Sequence, residues 1–210
     1  MSRSQIVLVA LVVIVAGVSG SLLARRALVQ PELPQAAMTA GTLLEPPRAL
    51  APFTLVDQDA KPFDASRLRG QWTLIFFGFT NCPDVCPATL GNLAQIDKQL
   101  ADLAPSQRPR VVLVSVDPER DTPAQLKSYV GFFSPSFVGV TGTPQQIEAV
   151  TQAFAVPVAI RKTQGTYTVD HSAAVFLIDP NGAMRALFST PHDPTKIAAD
   201  LRRIIASERP

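Results

Sequence analysis

The sequence predicts an α/β domain whose sheet has parallel central strands and an antiparallel edge. Three observations lead there. Trp72–Phe79 and Val111–Val116 are short apolar runs without polar alternation, the pattern of strands buried on both faces. Stretches with apolar residues at helical spacing lie between such runs, which alternates strand with helix. Near the carboxyl end, Ala173–Ile178 and Met184–Phe188 flank Asp179-Pro180-Asn181-Gly182, a strong hairpin signal.

The elements follow in order. Residues 52–63 open the domain, with Phe53, Leu55 and Phe63 toward a core and a turn around Asp57–Ala60. After the strand 72–79 comes a cysteine loop, and Pro87 then opens a helix in its first turn. Leu90, Leu93, Ile96, Leu100 and Leu103 give that helix one apolar stripe. Val111–Val116 is the second buried strand. Thr122 caps a helix with Pro123 at its first position and Leu126, Tyr129, Val130 and Phe133 along it. Phe137–Val140 is a short strand, Pro144 starts a helix with Ile147, Val150 and Phe154 inward, and a last helix runs over Pro194–Ala206.

The segment before the domain is different. Residues 6–24 are 19 apolar or small residues without a charge, enough helix to span about 30 Å, a bilayer core. A cleaved signal has a shorter apolar region, so the run reads as an uncleaved transmembrane anchor. Residues 25–48 read as a linker, because Pro31, Pro34, Pro46 and Pro47 forbid a continuous helix. That leaves 49–210 as the folded domain. Of 19 basic residues, Arg3, Arg25 and Arg26 flank the anchor; the remaining 16 meet 17 acidic ones. No basic face exists to attract nucleic acid.

Two cysteines, Cys82 and Cys86, make up the whole cysteine content. They follow the carboxyl end of the strand 72–79, where open α/β sheets bind ligands. With a helix starting near Pro83 the sulfurs lie one turn apart on one side. Helix-start N–H groups favour the thiolate, which metal binding and redox chemistry both require. Dithiol oxidoreductases usually carry two intervening residues; here Pro83, Asp84 and Val85 make three, a gap that lets both sulfurs reach one ion. Soft thiolates select copper(I), zinc or iron–sulfur clusters, and two ligands leave zinc short of four. An inert disulfide or a pair of buried thiols is the structural alternative.

His171 precedes the strand 173–178 in a loop at a sheet end. Asp170 could hold one ring nitrogen and free the other for a metal; the bland alternative makes Asp170 a solvated loop residue. His192, between Pro191 and Asp193, reads as an exposed turn histidine. Asp117 and Asp121 follow the strand 111–116: either a charged turn capping the next helix, or an acidic rim or outer group near a metal. Two thiolates and an imidazole suit copper(I), with copper(II) needing a further ligand.

Four segments, in order, carry a family resemblance: GTLLEPPRALAPFTLVDQDAKPF, FFGFTNCPDVCPATL, SVDPERDTPAQLKSYV and GTYTVDHSAAVFLIDPNG. Over roughly residues 42–207 the chain resembles the SCO/SenC family of copper-binding, thioredoxin-like proteins. The resemblance implies a thioredoxin-like fold with a family-specific insertion. It implies one copper ion, as Cu(I) or Cu(II), on Cys82, Cys86 and His171. It implies a chaperone assisting the binuclear copper site (CuA) of cytochrome c oxidase, with the copper-bearing oxidase subunit and other periplasmic copper carriers as partners. The absence of a Ser- and Arg-rich transit peptide favours a bacterial inner membrane, with residues 1–5 in the cytoplasm and the domain in the periplasm. Thiol–disulfide exchange on the same cysteines is the competing function, with a peroxidase third.

Overall fold

The computed structural model describes Gln5 and residues 38–163 and 166–208; nothing is said of the side chains of 162, 163 and 166. The expected anchor, residues 6–24, lies outside the described residues. Among those described, no helix is long and apolar enough to cross a membrane. The chain divides into two units: residues 34–203, which carry the sheet and the site, and residues 1–33 with 204–210.

The larger unit is built on an eight-stranded mixed sheet. Its strands are β1 (Gly41–Ala49), β2 (Thr54–Asp57), β3 (Pro62–Asp64), β4 (Thr73–Gly78), β5 (Arg110–Ser115), β6 (Val138–Thr141), β9 (Val175–Ile178) and β10 (Ala183–Phe188), in the order β1-β10-β9-β4-β5-β6-β2-β3. β7 (Val158–Thr163) and β8 (Thr166–His171) form a separate antiparallel pair. The helices are α1 (Val85–Gln99), α2 (Pro123–Phe133), α3 (Pro144–Phe154) and α4 (Pro194–Ser207).

β4, β5 and β6 are parallel, as the buried apolar runs predict. All six residues of β4 are buried, because a central strand is covered on both faces. Phe77 on one face meets Phe154 and Phe176 in edge-to-face contacts at 5.2 and 5.9 Å. Antiparallel strands lie on both flanks rather than one: β9, β10 and β1 on one side, β2 and β3 on the other. The Asp179–Gly182 turn forms as expected, with Gly182 at φ 85° and Asp179 Oδ1 accepting from the amides of Asn181 and Ala183. Thr122 and Thr143 both close capping boxes, with Gln125 and Gln146, ahead of Pro123 and Pro144. These reciprocal bonds satisfy N–H groups that the helix itself leaves unpaired.

Two expectations are corrected. Residues 41–48, read as linker, belong to β1, which pairs with β10 at the sheet edge. Prolines forbid a helix, but an edge strand tolerates them where its register is broken; here the break spans Leu43 to Arg48 and contains Pro46 and Pro47. The strand is fastened at its start by the buried Asp200 carboxylate, which accepts from the amides of Thr39, Ala40 and Gly41 at 2.8–3.0 Å. The second correction concerns His171. It is the last residue of β8, not part of a loop leading into the strand 175–178.

Candidate metal centre

The cysteine loop hangs from the carboxyl end of β4. Cys82 N–H donates to the Phe79 carbonyl at 3.3 Å, and Asp84 is the N-cap of α1. Helix α1 thus begins at Val85, with Pro87 at its third position rather than opening it. Asp84 makes no side-chain capping bond. The Cys82 sulfur takes that place, accepting from Cys86 N–H at 3.4 Å. A helix-start N–H aimed at sulfur stabilises the thiolate.

Cys86 is fully buried and Cys82 half-exposed; both are free. Burial pushes the Cys86 thiol well above its ordinary pKa, and Cys82 and Asp121 add to the rise. An apolar pocket disfavours a lone thiolate, so Cys86 gives up its proton readily only when a cation compensates. Gly78 makes room for this sulfur. A Cβ there would lie 3.1 Å from it.

Hairpin β7–β8 supplies the third group. His171 Nε2 lies 3.5 Å from Cys86 Sγ. Its Nδ1 is 2.9 Å from the Ser172 carbonyl. A carbonyl can only accept, so Nδ1 carries the proton and the Nε2 lone pair faces the sulfurs. Asp170, expected to hold the ring, pairs instead with Arg161. Phe76 and Phe79 flank the imidazole edge-on at 6.0 and 5.9 Å. This burial lowers the His171 pKa, keeping the ring neutral as a ligand must be.

The three donor atoms lie within 4.8 Å of one another. Two donors bonded to one soft ion at about 2.3 Å can be at most about 4.6 Å apart. The donor set therefore fits one ion after a shift of a few tenths of an ångström. A cleft of about 340 Å³ lined by Phe79, Cys82, Asp84, Val169 and His171, among others, opens the centre to solvent.

The surrounding acids are ties, not an exposed rim. Asp121 is buried and accepts from Thr80 N–H (3.1 Å), Thr80 Oγ1 (2.6 Å) and Ser115 Oγ (2.6 Å), fixing the loop to β5. Helix α2 is capped by Thr122, not Asp121. Asp117, also buried, accepts from Arg120 Nε at 2.5 Å and Tyr167 Oη at 2.6 Å. Arg120 stacks on the Tyr167 ring at 4.0 Å. Together they hold the hairpin that carries His171. The composition of residues 115–121 gave no sign of Tyr167 as partner, because the contact spans 50 residues. His192 is half-buried, its Nε2 donating to the Phe188 carbonyl at 3.2 Å, and takes no part in the centre.

A parallel three-strand centre with two thiols at a strand's carboxyl end and an imidazole brought in by a hairpin defines a thioredoxin-like protein with a soft metal centre. Residues 42–206 match the SCO1/SenC family model. This chain belongs to that family. An SCO2-like protein of Rickettsia conorii is 38% identical over 159 residues, 71% of this chain and 74% of its own. Bradyrhizobium japonicum ScoI, solved with copper bound, is 38% identical with a TM-score of 0.67, covering 74% of this chain and 98% of that one. BsSco, described as a member of the Sco family of cytochrome c oxidase assembly proteins with a disulfide switch, is 25% identical with a TM-score of 0.61, covering 76% of this chain and 95% of that one.

Proposed function

We propose that this chain binds one copper ion through Cys82, Cys86 and His171 and hands it on during assembly of the CuA site of cytochrome c oxidase. The observation that carries the reading is the convergence of two thiols and a correctly protonated imidazole within 4.8 Å. The copper-bound relative supports the choice of metal. Two soft thiolates select Cu(I) over hard cations. When bound, copper is cargo: the chain's task is to hold it in a soft, half-open site from which a partner's thiols can draw it. The half-exposed Cys82 faces the cleft by which such a partner would enter.

The anchor and location belong to the same proposal. Residues 6–24 would hold the domain at the outer face of a bacterial inner membrane, residues 1–5 inside, with the linker shortened to 25–40. Protease treatment of intact spheroplasts should degrade the domain. Its protection there would reverse the orientation.

The test of the metal reading is a titration of the reduced full chain in detergent with Cu(I) against a chelator of known affinity. One equivalent should bind. Cys82→Ala, Cys86→Ala and His171→Ala should each weaken binding at least tenfold. Unchanged affinity in His171→Ala would remove the third ligand.

The second reading is thiol–disulfide exchange, keeping oxidase-subunit cysteines reduced. The Cys82 sulfur at a helix start, on a residue lining the open cleft, favours it, as does the disulfide switch described for BsSco. If His171→Ala preserved cellular oxidase assembly while either cysteine change abolished it, exchange would displace delivery.

A further inference from the structure

Hairpin β7–β8 stands over a hollow that the metal centre does not use. Its register pairs Val158 with His171 and Ile160 with Val169, so these four side chains and that of Tyr167 share one face. A groove of about 430 Å³ lies between Val158, Ile160 and Tyr167 of that face and Ile147 and Glu148 of α3, with Glu119 at its side. Val169 lines this groove and also the cleft of the metal centre, so the two hollows adjoin there.

The groove presents apolar surface that nothing in the fold covers. Ile160 is 61% exposed. Only two other large apolar side chains are exposed among the described residues, and one of them, Val85, lines the metal cleft. Apolar surface left open across two adjoining hollows marks an interaction site. The rim is acidic. Among the described residues that line the groove none is basic, and neighbouring Arg120 is engaged by the buried Asp117. Glu119 and Glu148 meet neutral donors, Tyr167 Oη at 3.4 Å and Gln152 Nε2 at 3.2 Å, which leave their charges uncompensated. Such a rim repels anionic lipid and suits a segment with a lysine or arginine beside a large apolar side chain.

We propose that this groove is where the copper-bearing oxidase subunit docks. A segment of that partner lays a large apolar side chain against Ile160 and a basic one against Glu119 or Glu148, while its thiols reach Cys82 through the adjoining cleft. Continuity selects this occupant: a segment seated on Ile160 and Val169 is already at the mouth of the cleft, and the same hairpin face carries His171. The partner's thiols take over Cu(I) as their protons pass to the vacated Cys82 and Cys86 sulfurs, so nothing is oxidised or reduced. The docking rests on the copper reading above and assigns the surface through which that site is unloaded.

The test follows copper transfer from the loaded full-length chain, held in nanodiscs of neutral lipid, to the metal-free soluble domain of the CuA-bearing oxidase subunit from the same cells. At low salt Ile160→Ser should slow transfer about tenfold, through lost apolar contact. Glu148→Lys should slow it about fivefold, a deficit that fades as salt rises. Asp102→Lys, beyond the far end of α1, is the charge control and should transfer like the wild type. Neither groove residue is a ligand, so Cu(I) affinity against a chelator should not change. Adding the metal-free domain to the loaded wild type should slow amide exchange at residues 158–160. Wild-type transfer rates in both groove variants, or unaltered exchange at 158–160 while transfer proceeds, overturn the docking and leave the copper reading standing. A loss of affinity equal to the loss of rate would make Ile160 a support of the hairpin and overturn it too. So would a dimer that Ile160→Ser converts to monomer, which gives the groove to a second copy of the chain, or a small apolar molecule retained there in native mass spectra. If a substitution unfolds the hairpin, exchange in the wild type decides. A wild-type chain that binds no Cu(I) overturns the copper reading, and the docking with it.

Discussion

Replacing Gly78 by alanine tests whether the Cys86 sulfur is held where the geometry puts it. The added Cβ would sit 2.9 Å from Phe76 Cε1, 3.1 Å from Cys86 Sγ and 3.1 Å from Leu113 Cδ1. Ordinary contact is about 3.5–4.0 Å, so each neighbour must yield by roughly half an ångström. None is free to do so. Phe76, Cys86 and Leu113 are all fully buried, on β4, α1 and β5. Overpacking of this kind costs about 1–3 kcal/mol. Alanine recovers about 0.5–1 kcal/mol of that, because glycine is a poor strand residue. The net loss is about 1 kcal/mol at the middle of these ranges and at most about 2.5 kcal/mol, so the melting temperature should fall by about 2–4 °C for a domain of this size. Displacing Sγ from its 3.5 Å approach to His171 should also weaken Cu(I) binding about tenfold. The control is Gly91→Ala in α1, where nothing lies within 4 Å of the new Cβ; it should stabilise by about 0.5–1 kcal/mol. Calorimetry on the metal-free protein and chelator competition on the loaded one read both effects. A Gly78→Ala variant as stable as Gly91→Ala, with unaltered copper affinity, would show that the sulfur does not depend on that space.

Three further outcomes are expected. Burial lowers the pKa of both His171 and His192 below the ordinary value near 6.5. The unfolded chain then binds more protons than the folded one below pH 6.5, so these histidines make stability fall with pH from there down through their folded pKa values. Denaturant melts from pH 7 to 5 should show this fall, and His192→Gln should lessen it; a flat profile would contradict the burial argument. Asp121→Ala strips the acceptor from Thr80 and Ser115 and should cost at least about 2 kcal/mol, whereas an equally stable variant would mean the loop is held otherwise. Tyr167→Phe removes the bond to Asp117 and should speed amide exchange at Val169–His171 without changing it in β4 or β5; unchanged exchange would show that this contact does not hold the hairpin.

The legibility of this chain divides along the range of the interactions. The β4 and β5 runs, the threonine–proline helix starts and the Asp179–Gly182 turn are local, and each was readable from a few adjacent residues. The cysteines were placed correctly because strand, loop and helix follow one another directly. β1 was lost to its prolines, since nothing local announces the Asp200 carboxylate that fastens it from 159–161 residues away. Hairpin β7–β8 was lost for another reason. Its pair stands outside the main sheet and carries Arg161, Thr168 and Asp170 among apolar residues, so neither a buried run nor a clean alternation appears. The His171 tautomer rests on a backbone carbonyl, which every residue possesses and no sequence pattern marks.

The 85-residue separation between Cys86 and His171 has a consequence for the order of events in the cell. The unfolded chain has the two sulfurs but not the imidazole beside them; the third donor arrives only when the main sheet and the β7–β8 hairpin have both formed. An ion held by all three would close a long loop of chain, and the share of its binding energy that His171 adds would count toward the folded state alone. An immature domain competes poorly for the ion. On the reading proposed above, a finished one would be clasped by it and would become looser again once the ion departs.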